Sequence, residues 1–231
     1  MPEIVKGHSN ARLERRDFHV SIGEKAFWSE FKYQGGAEIF GEAEPADYLY
    51  QIMSGAVRTF ELLADGRRQI AAFHLPGDIF GIETGDAHRF TAEAMVHTRV
   101  WIAKRRSIFG EGVEEDISGT VLKLTTRNLH HAENHLMLLG QQTALEKLAA
   151  FLTEMDERLQ SPNVMFLPMT RRDIADYLGL SIETVSRTFS VLQGMRLLSV
   201  QGGEQRRRNI VLHRRSKLAQ LALFAPYIVT S

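Results

Sequence analysis

One segment constrains the fold of this chain more than any other: Met169–Gln193, MTRRDIADYLGLSIETVSRTFSVLQ. It carries start, stop and turn signals for two short helices. Thr170 is placed to cap the first, with Asp173 three residues on in a capping-box relation, and Ile174, Ala175 and Leu178 supply a short apolar stripe. Gly179 permits a sharp turn, and Ser181 offers a second N-cap. In the second helix Ile182, Val185, Phe189 and Leu192 fall on one face by helical spacing, while Glu183, Thr184, Ser186, Arg187 and Ser190 fall on the other. A helix-turn-helix needs this division, with an apolar back to anchor it and short or forked polar side chains in front to meet base edges.

The residues that follow reinforce that reading. Leu197–Val200 and Asn209–Leu212 are predicted strands around the turn Gln201-Gly202-Gly203-Glu204, and Arg206, Arg207 and Arg208 open the second arm. A basic hairpin beside a recognition helix is a wing, suited to phosphate contact. The formal net charge of zero argues against nucleic acid until its distribution is examined. Residues 1–139 hold 16 basic and 20 acidic side chains, residues 140–231 hold 12 and 8, and from 160 onward the counts are 10 and 4. Only the second half has the charge to approach phosphates.

Upstream, Glu38–Lys104 reads as short strands punctuated by turns. Tyr48–Met53 leads into Ser54-Gly55, and Val57–Leu63 precedes the hairpin signal Ala64-Asp65-Gly66. Gln69–His74 runs into Pro76-Gly77-Asp78, and Phe90–Met95 and Arg99–Ala103 complete the series. Strands this closely spaced predict a small β-barrel or jelly roll. An amphipathic helix is expected near Ile22–Phe31. A long helix is expected over Val113–Leu139, in which Ile117, Val121 and Leu124 form one stripe while Leu122, Leu129 and Leu136 recur every seven residues on another. One stripe can pack on the barrel, and the other fits the same helix in a second copy. Candidate dimer-interface residues are therefore Ile117, Val121, Leu124, Leu129 and Leu136. Gly140 marks a hinge before a helix over Gln142–Leu159. The expected division is 1–111 barrel, 112–140 dimerisation helix and 141–231 winged helix, an α+β chain.

This order of barrel, long helix and winged helix, with the motifs YLYQIMSGAVRTF, ADGRRQI, FHLPGDIFG and IADYLGLSIETVSRTFSVLQ, resembles the CRP/FNR family of bacterial transcription regulators. The resemblance runs from about Phe31 to Leu212. The FNR class carries a Glu-x-x-Ser-Arg pattern in its recognition helix, matched here by Glu183, Ser186 and Arg187; the CRP pattern has an Arg where Ile182 stands and a Gly where Ser186 stands. The resemblance implies base reading by Glu183, Ser186 and Arg187. Arg187 can fork onto guanine O6 and N7, Glu183 can accept from cytosine N4, and Ser186 can meet a neighbouring base. Backbone contacts are expected from Thr170, Arg171, Ser181, Thr184, Ser190, Arg206, Arg207 and Arg208. The implied target is a TTGAT-N4-ATCAA-like palindrome bound by a homodimer. Ile82, Glu83, Thr84, Gly85 and Asp86 resemble a loop that some FNR-class proteins turn toward RNA polymerase.

Sensing is a separate question. Gly81–Thr91 contains Arg89 but neither the Gly-Glu nor the Arg-Ser pair that holds the phosphate of cyclic AMP in CRP, so that ligand is not expected. The chain has no cysteine, which excludes an iron–sulfur cluster on protein thiolates. His74 in FHLPGD and the group His130, His131 and His135 are read as structural, and no metal or cofactor is expected. What the resemblance then implies is a FixK-type reader, an FNR-class activator without cluster cysteines, controlling microaerobic, denitrification or nitrogen-fixation genes. The alternative is an effector-gated sensor of the same family, responding to haem, redox or a small molecule. No Walker A, GxGxxG, HExxH or GxSxG motif is present, so an enzyme is not expected. With no apolar run of about 18 residues and no signal peptide, the protein is expected to be cytoplasmic.

Overall fold

The computed structural model describes residues 28–109, 115–140, 143–160, 162–201 and 209–222, and all of their side chains except those of residues 109, 115–121 and 124. The described chain forms two compact units, one holding residues 28–66 and 71–129, the other 67–70 and 130 onward.

The first unit is built on two four-stranded antiparallel sheets. One orders β1 (Ser29–Tyr33), β8 (Thr98–Lys104), β3 (Tyr48–Ser54) and β6 (Ile79–Phe80). The other orders β2 (Glu38–Phe40), β7 (Thr91–Ala94), β4 (Val57–Leu62) and β5 (Arg68–His74), of which residues 71–74 belong to this unit. β3 has a neighbour on both edges, and Leu49, Tyr50, Gln51 and Ile52 are all buried, so both of its faces are covered and its sequence does not alternate apolar with polar. Gly55 follows it at φ +89°, where a Cβ would lie 2.5 Å from the Thr98 hydroxyl; no side chain fits that corner. Aromatic rings fill the interior. Tyr50 stacks on Phe80 at 5.1 Å, His74 on the same ring at 5.0 Å, and His88 lies flat on Phe40 at 3.6 Å.

The expected helix over Ile22–Phe31 is overturned at its end. Ser29–Phe31 belong to β1, registered antiparallel on β8 with Phe31 opposite Val100; Phe31 packs on the buried cluster of Phe40, Tyr50 and Ile52. A strand partner distant in sequence outweighs the local helical pattern here. Residues 22–27 lie outside the described residues. After a single turn, α1 (Arg106–Phe109), comes α2 (Glu115–Leu139). Within the first unit Arg127 Nη2 donates to Gly77 O at 2.7 Å, Asn128 Nδ2 donates to Ile79 O at 3.0 Å, and Arg127 pairs with Asp78 at 3.2 Å. The Pro76-Gly77-Asp78 turn is thus fixed to the helix.

The second unit holds α3 (Ala144–Leu159), β9 (Met165–Phe166), α4 (Arg171–Leu178), α5 (Ile182–Gly194), β10 (Leu198–Gln201), β11 (Asn209–Leu212) and α6 (Arg215–Leu221). Its sheet orders β10, β11, β9, all antiparallel. The core is mostly aliphatic with a few aromatic rings: Leu148, Phe151, Leu152, Met155, Ile174 and Val185 are at most 1% exposed, and Tyr177 and Phe189 are 3% exposed. Arg215 grips Asp156 with two donors, at 2.6 and 3.1 Å, tying α6 to α3. The last ten residues of α2 also belong to this unit. His135 stacks on Tyr177 at 3.7 Å, and its Nε2 lies 2.8 Å from the Tyr177 carbonyl. Because a carbonyl only accepts, Nε2 carries the proton, and His135 caps the last turn of α4. Four residues earlier His131 lies 3.5 Å from the buried Glu154 carboxylate, which also accepts from Arg158 at 3.2 Å. Burial raises the pKa of Glu154, but these two neighbours outweigh it and hold the carboxyl below its ordinary range.

Candidate nucleic-acid interface

The helix pair is assembled from local signals. Thr170 is the N-cap of α4: its hydroxyl accepts from Asp173 N at 3.1 Å, and the Asp173 carboxylate accepts in return from Thr170 N at 2.8 Å. Gly179 closes the helix in the left-handed conformation at φ +64°. Ser181 starts α5, accepting from Thr184 N at 3.1 Å. Val185, Phe189 and Leu192 are buried and Ile182 is half-buried, so the predicted back of the helix is the observed back, with Thr188 added to it. Thr188 can sit there because its hydroxyl donates to the Thr184 carbonyl at 2.8 Å.

Glu183, Ser186, Arg187 and Ser190 are all exposed and share the opposite face, at relative positions i, i+3, i+4 and i+7. The Glu183 carboxyl is held below its ordinary pKa by the N–H of its own residue, then by the Ser181 hydroxyl, with the Arg187 charge a smaller contribution. Glu183 therefore stays an anionic acceptor, the form that suits the exocyclic amine of cytosine. Arg187 can present a fork of donors a turn further along.

The structure separates the candidate backbone residues into two groups. The Thr170 proton goes to Asp173 Oδ2 at 2.7 Å, the Ser190 proton goes to the Ser186 carbonyl at 3.2 Å, and Ser181 and Thr184 share one O–H···O contact at 2.9 Å. A phosphate oxygen accepts only, so these hydroxyls have few protons left to offer it. The cations form the second group. Arg171 is half-buried at the first position of α4, with its guanidinium carbon 3.1 Å from the centroid of the Phe189 ring, and Arg172 beside it is exposed. The sequence marked Phe189 only as a core residue; an aromatic facing the start of the preceding helix was the available signal. Arg206, Arg207 and Arg208 lie outside the described residues, as does the turn from Gly202 to Glu204.

On α2, Leu122, Leu129 and Leu136 are 67%, 56% and 70% exposed, an apolar seam at seven-residue spacing. Ile117, Val121 and Leu124 lie on the helix, their side chains outside the described set. In the barrel, Ile82 and Glu83 are half-buried, whereas Thr84, Gly85 and Asp86 are exposed. Arg105 Nη1 donates to Gly85 O at 2.6 Å, at one side of an open groove of about 830 Å³ lined by Asp47, Tyr48, Asp86, Lys104, Arg105 and Arg106. Arg89 is exposed, its guanidinium 5.1 Å above the Phe90 ring.

Two family models match in the same order as the two units. One, a cyclic nucleotide-binding domain, spans residues 30–110, and the other, a Crp-like helix-turn-helix domain, spans residues 146–221. The nitrogen fixation regulation protein FixK of Rhizobium meliloti (strain 1021) is 43% identical over 73% of this chain and 77% of its own length. The chain belongs to the CRP/FNR family. Within that family it is FixK-type. The FixK of Azorhizobium caulinodans is 41% identical over 80% of this chain and 75% of its own. The solved structure of FixK2 from Bradyrhizobium japonicum matches at 49% identity with a TM-score of 0.78, covering 84% of this chain and 97% of that one. This CRP/FNR regulator is accordingly a DNA-binding transcription regulator with a Crp-type helix-turn-helix, not an enzyme. Among the described residues, no helix is long and apolar enough to cross a membrane.

Proposed function

We propose that this regulator acts as a homodimeric activator on a TTGAT-N4-ATCAA-like inverted repeat, and does so without a small-molecule ligand. The observation that carries the reading is the single exposed face of α5 bearing Glu183, Ser186 and Arg187. Two such faces related by a twofold axis require a palindrome with half-sites about one helical turn apart. The exposed leucines at 122, 129 and 136 supply the apolar surface for pairing α2 with its copy. Ile117, Val121 and Leu124, on the adjoining stripe of the same helix, are assigned to the interface as well. Arg171 and Arg206–Arg208 contact phosphates. Ile82–Asp86 is the surface offered to RNA polymerase. The FixK relatives are named for nitrogen fixation, and genes of low-oxygen or nitrogen metabolism are the targets this reading assigns. The division into barrel (1–111), dimerisation helix (112–140) and reading domain (141–231) belongs to the same proposal, as does action in the cytoplasm.

The test is binding of purified, ligand-free protein to the palindrome and to a scrambled duplex, with stoichiometry and salt dependence. Two protomers per palindrome, selective binding and a steep loss of affinity with salt are expected. Equal binding to both duplexes would remove the reading. Arg187→Ala should lose about 1–3 kcal/mol of base discrimination per half-site. An unchanged ratio between the cognate and guanine-substituted duplexes would show that Arg187 does not read the base.

A further inference from the structure

We propose that the barrel carries an acid-operated clasp: protonation of His88 unseats its ring from Phe40 and parts residues 82–89 from residues 41–47. The clasp lies wholly within the first unit and is closed at neutral pH. Its existence does not depend on what residues 82–86 touch, whereas its effect on transcription rests on the proposed polymerase contact of those residues.

Two features meet at His88. The first is a buried ring that has no place for a second proton. His88 is 2% exposed, lies flat on Phe40 at 3.6 Å, and has no hydrogen-bond partner for either ring nitrogen among the described residues. A protonated imidazole donates from both nitrogens and so needs two acceptors. Glu83, on the same loop, brings Oε1 to 3.6 Å from Nδ1, but that oxygen already accepts from Arg89 N at 3.2 Å. Glu44, on the facing loop, acts on the ring through its charge, and its Oε2 accepts from Gly41 N at 3.0 Å. The strands behind supply the rings of Phe40 and Tyr50; burial raises the Tyr50 hydroxyl far above its ordinary pKa, so it stays neutral. Burial outweighs the pull of Glu83 and Glu44 and holds the His88 pKa below the ordinary 6.5.

The second feature is strain in the loop that His88 holds. Ala43 stands at φ +66°, in the left-handed region that a residue with a Cβ rarely adopts. Its N–H donates to His88 O at 2.9 Å, and His88 N donates to Glu44 O at 2.9 Å. Ala87 then bridges to Pro45, and Ala46 N donates to Asp86 O at 2.8 Å. This short ladder keeps Ala43 in its strained conformation, and the packed ring keeps the ladder shut. Residues 42–45 are exposed, so parting the loops brings the ring to water. Arg105 limits the movement: its N–H donates to Asp47 O at 2.8 Å and its guanidinium to Gly85 O at 2.6 Å, which pins both loops at one end. Glu83 follows the open end through its bond to Arg89 N. Opening takes up a proton, so the closed state is fully favoured above about pH 6.5 and loses ground as pH falls toward the folded-state pKa of His88.

Hydrogen exchange of the full-length protein, corrected for the intrinsic pH dependence of exchange, tests this peptide by peptide. Between about pH 7.5 and about pH 5.5, opening of residues 43–46 and 86–89 should rise about threefold or more in wild type, while β3 and β8 keep their protection. His88→Phe keeps a flat ring on Phe40 and cannot titrate, so the same residues should show no such rise. Ala43→Gly keeps His88 and relieves the strain, so opening should fall about threefold at both pH values with the acid rise retained. This second variant decides the matter if His88→Phe does not fold. An equal rise in wild type and His88→Phe, a rise shared by the whole barrel, or more opening in Ala43→Gly would overturn the clasp. Transcription from a promoter carrying the palindrome, with duplex affinity measured in parallel, separates the clasp from the polymerase contact. Relative to His88→Phe, wild type should lose transcription at acid pH and keep its affinity. Exchange as expected with an unchanged transcription ratio keeps the clasp and removes residues 82–86 as the polymerase surface.

Discussion

Each unit of the protein buries a histidine flat against an aromatic ring, and the two are treated in opposite ways. His88 in the barrel lies 3.6 Å from the Phe40 ring centroid, and neither of its ring nitrogens has a hydrogen-bond partner among the described residues. Its nearest charge is Glu83, with Nδ1 3.6 Å from Oε1. His135 in the reading unit lies 3.7 Å from the Tyr177 ring and donates to the carbonyl of the same residue. The same side chain thus acts as an apolar plate in one unit and as a cap in the other. The difference shows where each unit holds its tension. The reading unit satisfies most of its described polar groups within itself, through capping boxes, back-bonded hydroxyls and the Arg215–Asp156 pair, His131 Nδ1 beside Glu154 being the exception. The barrel leaves a titratable group without an acceptor or donor in an aromatic interior, and that group has to stay neutral for the packing to hold.

The largest expected effect comes from removing the satisfied histidine. His135→Ala would leave the Tyr177 carbonyl without its donor and would strip the stack, a loss of about 2–4 kcal/mol. Urea unfolding read from the reading unit would check it; a loss no larger than that of an ordinary surface substitution would erase the contrast. Next comes the cap on which the reading face depends. Thr170→Ala should destabilise α4 by about 1 kcal/mol, visible as a lower unfolding midpoint with an unchanged denaturant slope.

The smallest effect at neutral pH, and the most informative, belongs to His88. Desolvation lowers its pKa from the ordinary 6.5, while Glu83 and Glu44 pull weakly in the other direction. A histidine whose folded-state pKa is depressed binds more protons when unfolded, so stability is lost as pH falls from about 6.5 toward the folded-state value. His88→Phe should change stability by less than about 1 kcal/mol at pH 7.5 and flatten that acid limb. Parallel pH profiles for wild type and variant would place the acid sensitivity in other groups.

What was legible in the sequence follows the same division. The caps at Thr170 and Ser181 and the stop at Gly179 were legible because each is a bond between a side chain or backbone group and its own chain within three or four residues. The strands Tyr48–Ser54, Val57–Leu62 and Thr98–Lys104 were legible to within a residue or two because turns bound them and they are long enough to carry a pattern. β6 and β9, two residues each, carry no pattern and exist because a partner strand supplies the hydrogen bonds. α6 was missed for a related reason: Arg214 gives it no side-chain cap, and it is held by buried Leu218 and by Arg215 reaching Asp156, 59 residues earlier. In the candidate site, Glu183, Ser186 and Arg187 could be assigned to one face by spacing alone. The contact of Arg171 with Phe189 joins two helices across a turn, and a periodicity argument treats each helix separately.

The three exposed leucines of α2 have a further consequence. Seven residues of helix advance about 10.5 Å, so the seam from Leu122 to Leu136 extends about 21 Å along one side of the rod. A surface that is buried only against its own copy makes the dimer concentration grow with the square of the monomer concentration, and the folded stability of each copy then depends on how many others are present. In the ligand-free homodimer proposed for this protein, gene dosage and proteolysis would set the input, and halving the cellular amount would lower occupancy at a promoter by more than half.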